Sequence, residues 1–323
     1  MDSKITFFSL NVGMSASLAG LDAIIKAENL DIIFLQEVRI SSEQIEQQLR
    51  GFKASVNMDE NQPLKPGIAI VWREALPVAD VSPLTLCRLQ VATLGPYKLM
   101  NIYAPSGSDK KHARNVFFGQ DIFEALHLDC QSRWVVGGDH NSVLKIIDVD
   151  GGVGFSHKRC PALEDLVKAA KFVDTFREKF PNKEEFTFFR AGCAPSRLDR
   201  FYISAELMSD VHSVSHVASL SDHCGVKLSM MMHVGRVALP TSRRRTYWKL
   251  NSSILGDQEF LPSFISLWKN ILSYRQNFPD IAEWWDKMAK PQIKDFLLVF
   301  QFRGAEGEPT LILYSKQAKR MVD

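Results

Sequence analysis

Residues 134–141, WVVGGDHN, join a short apolar run to two glycines and a group of polar side chains. Trp134–Gly138 predicts a buried strand, because a short apolar run bounded by turn residues is typical of one. Asp139 and Asn141 follow two positions apart, so if the strand geometry continued they would point to one face. The stretch therefore predicts a strand that brings a carboxylate and an amide to the edge of a sheet.

The same arrangement recurs along the first two thirds of the chain. Polar residues at or beside predicted strands are Asn11 after Ile5–Leu10, Glu37 after Asp31–Gln36, Tyr103 ending Lys98–Tyr103, Asp199 within Arg197–Ser204, and Asp222 and His223 before Gly225–Met232. Further strands are predicted at Ile68–Trp72, Leu86–Leu94 and Val211–Ser219, and helices at Ser17–Ala27, Lys111–Leu126 and Pro161–Ala170. Many strands with interspersed helices predict a layered α/β fold, with two packed sheets flanked by helices.

The bulk composition is that of a globular protein. Of 323 residues, 46% are hydrophobic and 24% charged, and the net charge is +2, which permits a polyanionic partner without requiring one. The five cysteines form no CxxC pair, so a disulfide framework or a zinc site is not expected, and a reducing compartment is. No apolar run predicts a signal peptide or a membrane span. We expect an intracellular protein with no membrane partner.

The character of the sequence changes after about Met232. Five basic residues without an acid follow, among them the cluster Arg243–Arg245, and then comes a tryptophan-rich segment with a helical pattern around Phe260–Leu272. We place a boundary near residue 235, between a domain over 1–235 and a mostly helical appendage over 236–323. The basic cluster could contact phosphates or could be a solvated linker.

Each polar residue taken alone has an ordinary structural explanation. A carboxylate after a strand, such as Glu37, is commonly solvated, and Asp139 with Asn141 could form only a turn. Asp199 differs because it interrupts an apolar strand, and a buried carboxylate without a partner is costly. A partner such as the imidazole of His223 is therefore expected. Their recurrence in one structural context favours a single site over separate coincidences.

The residue types suit hydrolysis of a phosphodiester, which requires charge neutralisation, an activated water and a stabilised leaving oxygen. Carboxylates without clustered cysteine or histidine suit Mg²⁺, and Glu37 is the leading ligand. Of Asp139 and Asn141, one can accept a proton from water while the amide donates to a phosphoryl oxygen. An Asp199–His223 pair would orient the imidazole and hold its positive form beside the phosphate.

Seven strings in a fixed order carry a family resemblance: SLNVGM, LQEVR, NIYAPSG, GGDHNSV, TFFR, SRLDRFYIS and SDHCGV, within residues 4–232. Together they resemble the exonuclease–endonuclease–phosphatase superfamily, and within it the apurinic-type endonucleases of non-LTR (LINE-type) retrotransposons. The resemblance implies a DNase I-like two-sheet sandwich, dependence on Mg²⁺ for which Mn²⁺ would substitute, and cleavage that leaves a 3′-hydroxyl.

The resemblance also implies roles for individual residues. It assigns Asn11 and Glu37 to the metal site with Asp222 close by, Tyr103 to the scissile phosphate, Asp139 to proton transfer, Asn141 to orienting the nucleophile or phosphate, and Asp199 to pairing with His223. We add Thr187 and Ser196, in TFFR and SRLDRFYIS, as expected substrate-binding residues. Whether Asp139 or His223 takes the proton of the attacking water stays open from the sequence.

The chain departs from the family pattern at two positions. His140 stands where an apolar residue, often Phe, is common, and we expect it to point away from the site. Gly13 stands where some repair members have Asp, which bears on a secondary metal contact. The tail strings RTYWKLNSSIL and EWWDKMAKPQIKDF resemble the connector that precedes a reverse transcriptase, so we expect an element truncated before that domain.

The sequence is compatible with three functions. The first is an endonuclease that nicks DNA for retrotransposition, with nuclear access and no specific protein partner predicted. The second is a phosphatase or phospholipase of the same superfamily, and the third is a decayed DNA-binding module. The forms GGDHNSV and SRLDRFYIS favour the nucleic-acid branch, and the retained polar positions argue against decay. Abasic-site repair is a variant of the first function.

Overall fold

The computed structural model describes residues 3–13, 18–62, 65–127, 133–234, 255–293 and 296–297. By internal contacts the chain divides into two compact units, Met1–Arg244 and Arg245–Asp323. The predicted boundary near residue 235 and the basic cluster Arg243–Arg245 lie outside the described residues.

The first unit contains two six-stranded mixed sheets. Its strands are β1 Ser3–Asn11, β2 Ile32–Val38, β3 Phe52–Asn57, β4 Gly67–Arg73, β5 Val78–Thr85, β6 Leu89–Leu94, β7 Tyr97–Tyr103, β8 Arg133–Asp139, β9 Phe172–Asp174, β10 Asp199–Ser204, β11 Val211–Val217 and β12 Gly225–Met232. One sheet has the order β11-β12-β1-β2-β4-β3 and the other β5-β6-β7-β8-β10-β9. In each sheet one central pair is parallel, β1 with β2 and β7 with β8, while its other pairs are antiparallel.

Helices cover the outer faces of both sheets. The helices of the first unit are α1 Ala19–Glu28, α2 Ser42–Gln48, α3 Lys111–Val116, α4 Phe123–His127, α5 Phe155–Lys158, α6 Pro161–Ala169 and α7 Thr175–Lys179, and of these α1, α2, α3, α4 and α6 lie in the outer layers. A π-helical segment, Phe117–Ile122, joins α3 to α4, so the predicted helix Lys111–Leu126 is observed with an irregular middle. None of the described helices is long and apolar enough to cross a membrane.

The core of the first unit has three main apolar layers. Alternate residues of β1 point into two of them. Ile5 and Phe7 face the other sheet, where Phe7 meets the ring of Phe201 at 6.1 Å between centroids. Phe8 and Leu10 point the opposite way, into a layer beneath α1 and α2. A third layer lies between the second sheet and α3, α4 and α6. Because both faces of the central strands are covered, these strands are mostly apolar, and their few polar residues, such as Gln36 and Asn101, are buried and hydrogen-bonded to each other.

Two glycines in β8 let the sheets approach closely near the strand's end. A Cβ on Gly137 would lie 2.4 Å from the ring of Phe201, and one on Gly138 would lie 2.0 Å from the carbonyl oxygen of Ile102. Gly138 also has a φ of 146°, which side chains rarely adopt. The glycines of the WVVGGDHN stretch therefore satisfy a packing requirement just before Asp139.

The predicted fold class, a two-sheet α/β sandwich flanked by helices with a helical C-terminal appendage, is confirmed. The single strand predicted over Leu86–Leu94 is wrong at its start, because a turn at Cys87, with φ 62°, separates β5 from β6. β3, β5 and β9 lie where no strand is predicted. β5 is a largely exposed edge strand containing Pro83, and β9 has only 3 residues, so neither carries an apolar pattern.

The second unit is helical where it is described. α8 spans Phe260–Ser273 and α9 spans Ile281–Trp284, followed by a π-helical turn at Trp285–Ala289. Trp284 is buried against Ile271, to whose carbonyl oxygen its indole nitrogen donates at 3.3 Å. This small apolar cluster agrees with the helix predicted around Phe260–Leu272.

Candidate active site

The strand ends of both sheets meet at one edge of the first unit. Asn11 ends β1, and Tyr103 and Asp139 end the parallel pair β7 and β8, where they are register partners. Asp199 begins β10, which runs antiparallel to β8, so it also pairs with Asp139. His223 precedes β12, which is antiparallel to β1. Reversed strand direction thus brings residues from strand starts and strand ends to the same edge.

The Asp139 carboxylate, only 1% exposed, lies at the centre of a hydrogen-bond network. Its Oδ2 accepts from the amide nitrogen of Asn11 at 3.0 Å and from that of Asn141 at 3.1 Å. Its Oδ1 accepts from the backbone N–H of Asn141 at 2.8 Å. Three donors fix this carboxylate in place, which is what a group that handles a proton at a defined position requires.

Asn141 reaches Asp139 through a turn and not along an extended strand. β8 ends at Asp139, and Asn141 has a φ of 46°, in the left-handed region. Its amide nitrogen also donates to the carbonyl oxygen of Ala104 at 2.9 Å. The premise that strand geometry continues past Asp139 is therefore wrong. The two side chains still converge, because Asn tolerates the left-handed turn that brings them together.

Glu37 sits at an irregularity of β2. The pairing of β2 with β4 shifts register between Gln36 and Val38, and Glu37 has a φ of 60°. A non-glycine residue in this conformation is strained, and such strain is characteristic of functional positions. Glu37 Oε1 accepts from the hydroxyl of Tyr103 at 2.9 Å and from the amide of Asn11 at 3.1 Å. These bonds link the Glu37 side of the site to Asp139.

The partner expected for Asp199 is His223. Their contact measures 2.8 Å from Nδ1 to Oδ2, and both side chains are buried. The same Oδ2 accepts from the hydroxyl of Thr187 at 2.7 Å. With Nδ1 engaged, the Nε2 of His223 faces Asp139, whose Oδ2 lies 4.0 Å away. Asp199 and Thr187 therefore orient an imidazole toward the central carboxylate.

Burial and neighbouring charges shift the proton affinities in this group. For His223, burial disfavours the charged ring, but the Asp199 carboxylate outweighs it and raises the pKa of His223 to about 9. Burial, assisted by the charge of Asp199, raises the pKa of Asp139 to about 6. Burial and the neighbouring carboxylates also raise the pKa of Tyr103, so its hydroxyl remains a donor. At neutral pH the site holds a carboxylate beside an imidazolium.

An open cleft of about 270 Å³ lies beside this network, lined by Val12, Gly13, Glu37, Arg190, Leu220, Ser221 and Asp222. Asp222 pairs there with Arg190, whose Nε and Nη2 lie 2.9 and 2.8 Å from Oδ2. Glu37 and Asp222 are partly exposed carboxylates on one cleft, with room for water. That combination fits a hard cation such as Mg²⁺, which prefers oxygen ligands and keeps several waters.

A second group could also hold a cation. Ligand atoms of Asp139, Asp199 and His223 all lie within 4.8 Å of one another. Two of these residues are already bonded to each other, however, and the imidazole nitrogen is a softer ligand than Mg²⁺ prefers. Asn11 directs its amide nitrogen to the carboxylates, while its oxygen accepts from the N–H of Gly13 at 2.9 Å. Only a rotated amide would bring that oxygen to a cation beside Glu37.

Thr187 and Ser196 lie away from the cleft. Both are fully buried, and the hydroxyl of Ser196 donates to the carbonyl oxygen of Ala194 at 2.9 Å. Neither side chain lines the cleft or reaches solvent in this structure, and their expected part in substrate binding stays a prediction. Thr187 instead accepts from the backbone N–H of Asp199 at 3.0 Å while donating to its carboxylate, so it holds Asp199 in place.

The structure places His140 outside the site, as expected. Its ring is fully buried, stacked on Phe118 and edge-on to Tyr202. Burial and the charge of Arg200 lower the pKa of His140 to about 3, so it stays neutral. Gly13 adopts a φ of 66°, and its backbone N–H donates a hydrogen bond to the side chain of Asn11, a contact that needs no side chain at position 13.

Ser221 is a positioning residue that is not predicted from the sequence. Its hydroxyl donates to the carbonyl oxygen of Asn11 at 2.7 Å and accepts from the backbone N–H of His223 at 2.9 Å. It thereby fastens the loop carrying His223 to the end of β1. Its place in the SDHCGV string is the one signal that could have indicated it.

Comparison with known proteins identifies the family. A model of the Endonuclease/Exonuclease/phosphatase family matches residues 8–223. The Transposon TX1 uncharacterized 149 kDa protein of Xenopus laevis is 31% identical over 226 residues, which cover 66% of this chain and 16% of that protein. An exodeoxyribonuclease of Bacillus subtilis (strain 168) is 25% identical over 257 residues, covering 70% of this chain and 98% of the relative.

A solved structure shares the fold. An AP endonuclease from Archaeoglobus fulgidus superimposes with a TM-score of 0.60 at 19% identity, covering 70% of this chain and 99% of the other. The resemblance to transposon-encoded members is confirmed by the Xenopus protein, of whose length this chain spans 16%. The expected enzyme class, a hydrolase of nuclease type, is confirmed at the level of the family. On its sequence match over residues 8–223 and its two-sheet fold, the chain belongs to the Endonuclease/Exonuclease/phosphatase family.

Proposed function

We propose that this chain is a Mg²⁺-dependent endonuclease that hydrolyses a phosphodiester of DNA and nicks target DNA for a retrotransposon. The observation that carries the proposal is the Asp139 carboxylate, held by Asn11 and Asn141 beside the His223–Asp199 pair. This arrangement supplies a proton acceptor, a cation and amide donors within one small space. Hydrolysis of a phosphodiester needs each of them.

Asp139 is the residue we assign to accept the proton of the attacking water. The pKa of His223 is raised to about 9, so its ring already carries a proton at neutral pH and is a poor base. Asp139, with a pKa raised to about 6, is ionised there and is a stronger base than an ordinary carboxylate. The Nε2–H of His223 then stabilises negative charge on the phosphoryl group.

The neutral side chains orient the reacting groups. Asn141 and Asn11 donate to Asp139 and fix its direction, and the protonated hydroxyl of Tyr103 is available to a phosphoryl oxygen once it leaves Glu37. When bound, Mg²⁺ supplies positive charge to the phosphoryl oxygens and the leaving oxygen. Glu37 and Asp222 are the carboxylates we assign to hold it, and Mn²⁺ is expected to substitute.

DNA is the proposed substrate on two grounds. The bacterial relative is named an exodeoxyribonuclease, and the Xenopus relative is named as a transposon protein. The mechanism itself would serve any phosphodiester, so the substrate must be tested directly. A function in transposition also requires access to nuclear DNA.

The test is a nicking assay on supercoiled plasmid with Mg²⁺, Mn²⁺ or EDTA, beside a release assay on sphingomyelin and inositol phosphates. We expect open-circular plasmid with either cation, none in EDTA, and no turnover of the lipid or inositol substrates. Turnover of those substrates without nicking would instead assign the chain to the phosphatase or phospholipase branch. Inactivity on all of them, with DNA bound, would identify a DNA-binding module.

A further inference from the structure

Arg190 is a cation at the rim of the cleft whose role the mechanism leaves unassigned. Its side chain is 62% exposed, yet it lines the same cleft as Glu37 and Asp222. It is the one cation among the residues that line this cleft. An arginine exposed to this extent is accessible to a ligand that enters from solvent.

Two contacts hold the Arg190 guanidinium in a defined position. It lies over the ring of Phe188, 5.1 Å from the centroid, and the ring of Phe188 lies 5.0 Å from that of His223. Its Nε and Nη2 converge on a single oxygen of Asp222, and among the described residues its Nη1 has no hydrogen-bond partner. The guanidinium therefore lies on the same ring as the His223 imidazole, and its Nη1 can donate to a ligand.

The excess of carboxylates around the cleft indicates why a cation at Arg190 would matter. Four carboxylates lie at or near it, those of Glu37, Asp139, Asp199 and Asp222, against His223 and Arg190. A polyanion approaching such a surface is repelled unless cations meet its phosphates. Arginine suits this task because its planar fork matches phosphate geometry.

We propose that Arg190 is a phosphate-binding residue, which engages a backbone phosphate of the DNA strand next to the scissile one and is held ready by Asp222 and Phe188. The inference rests on the proposed function, since it takes DNA as the ligand. Arg190 changes partner on binding, from the Asp222 carboxylate to the phosphate. The exchange also frees Asp222 Oδ2 on the side of the cleft assigned to the cation.

The test measures binding of the full chain to a fluorescent DNA duplex by anisotropy at several salt concentrations, in EDTA so that nothing is cleaved. For Arg190→Met we expect roughly tenfold weaker binding at low salt. The slope of log affinity against log salt should fall by about 1, because the variant neutralises one phosphate fewer. Arg190→Lys should keep the slope. Arg133→Met, an exposed arginine at the opposite end of β8 from Asp139, should match wild type.

A double variant separates phosphate binding from mere neutralisation of Asp222. If Arg190 only offsets that carboxylate, Arg190→Met with Asp222→Asn will regain the wild-type slope, which would overturn the proposal. If Arg190 binds a phosphate, the double variant keeps the reduced slope of Arg190→Met. An unchanged slope in Arg190→Met alone would also overturn it. Because binding is measured without cleavage, a wild type that binds but fails to nick would contradict the proposed function and leave this result standing.

Discussion

His140 lies outside the site and is fully buried where the family resemblance leads one to expect an apolar side chain. Its Nδ1 lies 3.0 Å from the carbonyl oxygen of Gly138, and Nε2 has no partner among the described residues. Burial lowers the pKa of this ring to about 3, against about 6.5 in an unfolded chain. Between these values the unfolded chain binds a proton that the folded chain does not, so His140 costs stability as the pH falls below about 6.5.

We therefore predict that His140→Phe gains about 2 kcal/mol in unfolding free energy relative to wild type when the pH is lowered from 7.5 to 5. Urea unfolding at both pH values measures it. Phe can occupy the space between Phe118 and Tyr202 because it is also a flat ring. His212→Phe is the matched control, since this histidine is exposed on β11 and its replacement leaves the buried ring of His140 in place. A pH-independent difference at His140 would contradict the assignment.

The pairing of Asp199 with His223 could be predicted from the sequence, because a carboxylate inside an apolar strand needs a partner. The function of Thr187 could not, since a buried hydroxyl that holds Asp199 looks the same in sequence as one that faces a substrate. The family resemblance places Asp222 beside the metal, but its partner Arg190 is distant in sequence, and ion pairs of that kind leave no local pattern.

At the scale of elements, the irregularity in β2 decides where Glu37 points. The alternating pattern predicts a strand here but contains nothing that marks the left-handed conformation of Glu37, which costs of order 1 kcal/mol for a side chain. We predict that the free energy of unfolding is about 1 kcal/mol higher for Glu37→Gly than for Glu37→Ala, and that both variants lose nicking activity. Urea unfolding of the two variants tests this.

The control for this comparison is Ala54→Gly against wild type, since Ala54 lies in β3 and does not have a positive φ. There Gly should be the less stable residue, because it loses more conformational freedom on folding. If Gly is less stable than Ala at both positions, the strain assigned to Glu37 is absent.

A buried ion network fastens the loop after β8 to β9 and β10. Arg197, fully buried, donates Nε to Asp148 at 2.9 Å and Nη2 to Asp174 at 2.6 Å, and Arg177 Nη2 lies 2.6 Å from Asp148. Burial opposes ionisation of Asp148, but the charges of Arg197 and Arg200 outweigh it and hold the pKa of Asp148 well below its usual range. The network adjoins Asp199 and so stabilises one side of the site.

We predict that Arg197→Met lowers the unfolding free energy by about 3–5 kcal/mol, because it removes the buried cation that Asp148 and Asp174 share. Arg159→Met is the comparison, since Arg159 pairs with Glu164 on the surface, where solvent screens the pair, and its loss should cost much less. Urea midpoints of the two variants give the difference. Similar losses at both positions would show that the buried network contributes little.

At the scale of the whole molecule, the two sheets and every proposed site residue belong to the unit Met1–Arg244. We predict that a chain ended at Arg244 folds cooperatively and nicks plasmid at a rate within about threefold of the full chain, since the core layers around both sheets are retained. Thermal melting and the plasmid assay measure this. Loss of folding would show that the helical unit is required for stability. Loss of nicking by a folded chain would indicate that the helical unit contributes to DNA binding.

The fold class could be predicted from the sequence, since apolar runs mark the central strands of both sheets. The edge strands β5 and β9 could not, because their residues are exposed or too few to form a pattern. The convergence of the site depended on strand direction as well: β10 and β12 are antiparallel to their neighbours, and nothing local to Asp199 or His223 encodes that direction.

The central claim is that Asp139 and the His223–Asp199 pair act together as the proton-handling part of a phosphodiesterase site, separate from the cation-binding carboxylates. The most direct measurement is single-turnover nicking of supercoiled plasmid by wild type and His223→Ala over a wide range of Mg²⁺ concentrations. We expect the variant to lose at least about a hundredfold in rate at every concentration, because the deleted imidazole donates to the phosphoryl charge. Wild-type rates in the variant, or their recovery at high Mg²⁺ as for a missing metal ligand, would contradict it.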